Sequence, residues 1–160
     1  MKISILNKEE AEGLSAYIIC PHAIISIGEP KPWREDYSGP AKFADNEKRL
    51  GVLRLEFYDI DMLSITNAGY KHAIQEGGGE GLFTDEQALQ IVDFVNEMKG
   101  KVEVLVCHCE GGISRSSGVA AALSLMINGS DNEIFHNDKY IPNMFVYRKM
   151  LNAWQERRQN

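Results

Sequence analysis

One stretch constrains this chain more than any other. An apolar run, Val102-Glu103-Val104-Leu105-Val106, leads into His108-Cys109-Glu110-Gly111-Gly112-Ile113-Ser114-Arg115-Ser116, and a small-residue helical pattern from Ser117 to Asn128 leaves it. This order predicts a strand over 102–107, a tight loop, and a helix over 117–128 stopped by Asn128-Gly129.

The rest of the chain repeats the alternation. Residues 2–6 form a short strand pattern, and Asn7 is placed to cap a brief helix over Lys8 to Leu14. The apolar run Ala16 to Cys20 precedes Ala23 to Ile27, a β-branched stretch closed by Gly28 and Pro30 that predicts a buried strand. Residues 28–45, with three prolines, Trp33, Arg34 and Tyr37, have no period and form a surface loop. From Gly51 to Asp61 the pattern alternates, Leu53, Leu55 and Phe57 facing one way and Arg54, Glu56 and Tyr58 the other, so this strand delivers Asp59 and Asp61 at its end.

A weak helical segment at 68–75 and the run Gly77-Gly78-Gly79-Glu80-Gly81 predict a mobile flap. Thr84 with Gln87 is a capping box for a helix with Ala88, Ile91, Val92, Val95 and Met98 on one face, ended by Lys99-Gly100. Ser130 with Glu133 caps a short helix. Pro142 fits the first turn of a last one, with Met144, Tyr147, Leu151 and Trp154 on one face. Strands alternating with helices predict one α/β domain over 1–160, a three-layer sandwich with a mainly parallel central sheet, whose ligands bind at the carboxyl ends of the strands.

Composition narrows the partners. A net charge of -6 leaves no general basic surface for nucleic acid or an anionic membrane. Three cysteines, Cys20, Cys107 and Cys109, make a poor disulfide framework and suit a reducing compartment, so a cytoplasmic protein is expected. No stretch approaches the ~18–20 apolar residues of a membrane span. A monomer is the default expectation.

The loop itself carries chemistry. A cysteine at a helix N-terminus is favoured as thiolate by the helix dipole and nearby N–H groups, and Cys109 is so placed. Gly111 and Gly112 permit backbone angles that turn successive N–H groups toward one anion. Arg115 supplies a planar fork that grips two oxygens at once. Together they suit a tetrahedral dianion with Cys109 in line for attack.

The run His108-Cys109-five residues-Arg115-Ser116 resembles the signature of the cysteine-dependent protein tyrosine phosphatase superfamily, most of all its small dual-specificity-like, prokaryotic-type branch. The likeness covers roughly residues 16–128 and extends to Pro142-Asn143. It implies a nucleophile at Cys109 and a phosphoryl site made by Glu110, Gly111, Gly112, Ile113, Ser114 and Arg115. Ser116 would stabilise the departing thiolate, and His108 would order the loop and favour the thiolate. The family also needs an acid on another loop. Leu55-Glu56-Phe57-Tyr58-Asp59 resembles the run that ends in it, so Asp59 is the expected acid and Asp61 the alternative. About fifty residues separate Asp59 from Cys109, more than is usual, and the glycine-rich insert accounts for the excess. No metal or other cofactor is implied.

Other residues have plainer roles. Cys107, His108 and Cys109 lack the second ligand pair of a zinc site, so Cys107 is expected to pack as a small apolar residue. Cys20 is the better-placed of the two remaining cysteines to protect an oxidised Cys109 as a disulfide, since residues two apart on a strand close a strained ring. His22, His72 and His136 are scattered and read as surface or satisfied histidines. Glu110, with no Lys in the loop, argues against highly anionic substrates. A phosphorylated protein or aryl phosphate fits better, with Ile113, Trp33 and Tyr37 as apolar contacts for a ring. The rival is a phosphate-recognition module that binds phosphorylated partners without turnover, which has no use for a nucleophile.

Overall fold

The computed structural model describes residues 1–30, 37–61 and 81–160. Strands β1 (Lys2–Leu6), β2 (His22–Gly28), β3 (Arg49–Glu56) and β4 (Val104–His108) form a four-stranded sheet in the order β1-β4-β2-β3, every pair parallel. Helices α1 (Lys8–Leu14), α2 (Asp85–Met98), α3 (Arg115–Asn128), α4 (Asn132–Phe135) and α5 (Met144–Gln159) complete the described elements. The α/β class and the parallel sheet match the sequence pattern.

Alternation along the strands divides the sheet into two faces. Ala23, Ile25, Ile27, Leu55, Leu105 and Cys107 turn toward the core shared with Ala88, Ile91 and Val92 of α2 and Val119, Ala122 and Leu123 of α3. Helix α5 stacks on α2 and α3 as an outer layer. On the opposite face His108 meets Ser26 and the edge of the Phe43 ring, so the 40–48 connection covers what α1 does not.

Boundaries differ from the pattern where side chains intervene. β3 ends at Glu56, because Tyr58 N–H leaves the ladder for Gly81 O at 2.7 Å, so Asp59 and Asp61 lie beyond the strand. Helix α3 starts at Arg115, so Arg115 and Ser116 belong to its first turn. The short helix is entered through Asp131, although Ser130 Oγ still accepts Asn132 N–H at 3.3 Å. Pro142 precedes the last helix instead of sitting in its first turn, because Asn143 takes the cap position and its Oδ1 accepts Val146 N–H at 3.0 Å. That start centres the buried stripe of α5 on Val146, Met150 and Ala153, one position from the expected one. The run at 16–20 is a turn with Tyr17 and Ile19 in water. The segment 68–75, Gly77 to Glu80, Trp33 and His72 lie outside the described residues. No described helix is long and apolar enough to cross a membrane.

The close approach of α3 to the start of α5 depends on Gly118. A Cβ there would stand 2.7 Å from Asn143 O and 3.2 Å from Asn143 N, both backbone atoms. Alanine would gain about 1 kcal/mol of helix propensity, but forcing two backbones apart costs roughly 1–3 kcal/mol. The Gly118→Ala variant is therefore expected to unfold at lower urea concentration than the wild type; an unchanged or higher midpoint would show that the approach is not tight.

Candidate active site at the carboxyl ends of the strands

Parallel pairing brings four strand ends to one edge of the sheet. β1 contributes Asn7 and Lys8, β2 contributes Glu29, β3 contributes Phe57 to Asp59, and β4 runs into the 109–116 loop. Lys8 N–H donates to Glu110 O at 3.2 Å, tying the loop to the start of α1. Gly112 has φ +65°, and a Cβ on it would fall 2.6 Å from Asn7 N and 2.7 Å from Leu6 C. Of the two loop glycines, only Gly112 takes a left-handed angle, so the freedom expected of both is used at one.

Cys109 is buried, and its Sγ lies 3.1 Å from Ser116 Oγ. Arg115 is buried beside them: Nη1 donates to Phe57 O at 2.8 Å, and Nη2 pairs with Glu29 Oε1 at 2.9 Å. A guanidinium has five N–H donors, so two fixed partners leave three for an anion. A charge this enclosed needs such pairing.

Asp59 is drawn onto the loop from β3. Its Oδ1 accepts Ser114 Oγ at 2.8 Å and Asn143 Nδ2 at 2.9 Å. The same amide reaches Ile60 O at 3.1 Å, and Asn143 N–H donates to Ser114 O at 3.0 Å. Buried Asn143 thereby links the acid's turn, the loop and α5.

His108 lies on the far face of β4. Its Nδ1 faces Cys109 O at 3.3 Å; a carbonyl only accepts, so Nδ1 carries the hydrogen and Nε2 accepts from Ser26 Oγ at 2.6 Å. Burial pushes the imidazole down to about 4, against the opposing effect of the bond to Cys109. The ring is neutral at pH 7, and its bond to Cys109 is to the main-chain carbonyl.

The other cysteines stand apart from this chemistry. Burial pushes the Cys107 thiol up to about 12, with Cys109 adding to the effect, so Cys107 packs as a protonated core residue. Cys20 precedes β2, whose first residue His22 pairs with Val104, whereas Cys109 follows the other end of β4. Five strand residues, roughly 16 Å, lie between those ends. This removes Cys20 as the better-placed partner for an oxidised Cys109. All three cysteines are free.

The sequence pattern brought Cys109, Arg115, Ser116, Ser114 and Asp59 to one place, as found. It missed Glu29, placed within an irregular loop, although Glu29 follows a strand end just as Asp59 does. It also missed Ser26, the partner of His108, and Lys8, whose ammonium bonds Ser38 Oγ at 2.6 Å and Gly39 O and lies 5.0 Å from the centre of the Tyr37 ring. Among the described residues no three His, Cys, Asp or Glu stand close enough to hold a metal ion.

No family model matches the sequence, and no curated protein matches it. Solved structures do. The chain is similar to PTPMT1, with TM-score 0.53 at 14% identity over 99% of this chain and 96% of that one. It is also similar to human tyrosine phosphatase-like serine/threonine/tyrosine-interacting protein, with TM-score 0.48 at 16% identity over 95% of this chain and 84% of that one. For Tk-PTP in its active form the TM-score is 0.48 at 16% identity, over 94% and 90%. At such identity the likeness is one of fold.

The neutral state of His108 has a consequence for stability. The unfolded chain takes up this proton near the usual 6.5 and the folded chain only near 4, so its effect is absent above 6.5 and destabilises the fold as pH falls between those values. Full protonation of the unfolded side chain is worth about 3 kcal/mol. Urea unfolding at pH 7 and pH 4.5 should show a steeper loss in the wild type than in His108→Asn; parallel losses would place the titration elsewhere.

Proposed function

Because the chain folds as protein tyrosine phosphatase-like enzymes do, we propose that it is a cysteine-dependent phosphomonoester hydrolase, acting on phosphorylated proteins or aryl phosphates. One observation carries this: a buried thiol 3.1 Å from a serine hydroxyl shares a loop with a buried, doubly anchored arginine, and an acid from the segment after another strand is bonded to that same loop.

The chemistry follows from these groups. The three N–H donors of Arg115 not engaged by Phe57 and Glu29, with amides of the 110–115 loop, hold the phosphoryl oxygens and neutralise their charge. Cys109 Sγ attacks phosphorus as the bond to the leaving oxygen breaks, giving a phosphocysteine. Asp59 protonates that oxygen. Its Oδ1 already accepts two hydrogen bonds, which leaves Oδ2 to carry the proton. In the second step Asp59 takes a proton from water, the water oxygen bonds phosphorus, and the S–P bond breaks. Ser116 Oγ then donates to the released thiolate, and inorganic phosphate leaves. His108 acts through Cys109 O, and Ser26 holds its tautomer. Glu29 keeps the guanidinium in its plane.

Two experiments test this. A chromogenic aryl phosphate should be hydrolysed at mildly acidic pH with chelator present, and Cys109→Ser should retain phosphate binding while turnover falls by at least about 10³-fold; near-wild-type turnover by the serine variant would overturn the mechanism. Loss of a general acid lowers rates about 10²–10⁴-fold. Asp59→Ala should show that loss and a flattened basic limb in its pH profile, with Asp61→Ala close to wild type. The reverse result would move the acid to Asp61.

A further inference from the structure

The 113–114 stretch and the 141–143 segment run side by side, joined by two main-chain rungs: Ile141 N–H donates to Ile113 O at 3.0 Å and Asn143 N–H to Ser114 O at 3.0 Å. The second rung is polar, and its side chains both hold Asp59 Oδ1. The first is apolar. Ile113 is 44% exposed and Ile141 71% exposed, although each is fastened to the site through its backbone. Ile113 reaches back over the loop, its Cδ1 lying 4.0 Å from where a Cβ would stand on Gly111. A single exposed aliphatic residue is ordinary, but here two from different elements are paired at the rim of a polar anion loop.

This inference rests on the phosphomonoesterase reading and adds the part of the substrate that the loop does not hold. The leaving oxygen must meet Asp59, and Asp59 is bonded to the Ser114–Asn143 rung. The carbon body attached to that oxygen therefore departs alongside the neighbouring Ile113–Ile141 rung. We infer that Ile113 and Ile141 form a subsite for the leaving group, selecting an uncharged aromatic or aliphatic body that carries a single phosphate. Apolar contact there removes both side chains from water. The exposed Glu110 carboxylate on the loop repels a second phosphate.

Ile141 tests the subsite because it lies outside the phosphoryl-binding loop and is exposed. For 2-naphthyl phosphate, Ile141→Asp should lower kcat/KM about tenfold through KM, and Ile141→Ala about threefold. For glycerol 2-phosphate, and for the inhibition constant of orthovanadate, both variants should stay within about twofold of the wild type. Equal losses for 2-naphthyl phosphate and vanadate would mean that Ile141 only supports the loop, and unchanged naphthyl kinetics would mean that the leaving group lies elsewhere; either overturns the inference. Binding to phosphatidylcholine vesicles that Ile141→Asp abolishes, with naphthyl kinetics unchanged, would assign the pair to a lipid surface instead. If the wild type hydrolyses none of these esters, the hydrolase reading fails separately. Calorimetry of 2-naphthyl phosphate and inorganic phosphate on Cys109→Ser, with and without Ile141→Asp, then reads the subsite alone. A naphthyl affinity about tenfold weaker in the double variant, with phosphate unchanged, supports it; equal affinities overturn it.

Discussion

Parallel strand pairing is the constraint on which the rest of this structure depends. Strands that run the same way end at the same edge, so residues from positions 7, 29, 59 and 109 meet there although the chain is long between them. The 109–116 loop could not hold its shape alone. Gly112 turns with a positive φ where the end of β1 presses on it, Lys8 N–H ties the loop at Glu110, and Ile141 and Asn143 tie it at Ile113 and Ser114. A loop supported from three sides has its dipoles oriented before any anion arrives, which is the condition for electrostatic stabilisation without reorganisation.

Charge is handled by the same edge. Arg115 is buried, and an unpaired guanidinium there would be expensive; Glu29 and Phe57 O make it tolerable while leaving donors to spare. His108 meets the opposite solution. Enclosed by Ser26 and Phe43, it gives up its charge and keeps only its hydrogen bonds. Cys107 and Cys109, two residues apart, both face the helix side of the sheet, but only Cys109 reaches the loop and its serine. Neighbours, not residue type, separate an inert thiol from the proposed nucleophile.

How much of this was legible before the fold was known follows the range of the forces involved. The loop from His108 to Ser116 and the helix around Ile91 and Val95 were readable because their signals are local: glycines where a turn is tight, and apolar spacing at 3.6 residues. Asp59 was readable through its place after an alternating strand. Glu29 was not, since nothing in Gly28-Glu29-Pro30 announces an arginine eighty-six positions onward. The preference for Cys20 over Cys107 as a partner for Cys109 fell for the same reason: spacing along the chain does not say which end of a strand a distant cysteine occupies.

By itself, then, the sequence determined the class of fold, the strand–loop–helix at 102–128, and a cysteine-and-arginine pair whose types and spacing carry the proposed chemistry. Tertiary structure decided the rest. It chose Asp59 over Asp61 as the carboxylate bonded to Ser114, made Asn143 the link between Asp59 and the loop, gave Arg115 its partner in Glu29, and set Ile141 beside Ile113. The physical reason is that local pattern governs backbone conformation through short-range sterics and burial, whereas hydrogen bonds between side chains fifty or more residues apart exist only once strand order and register have brought them within 3 Å.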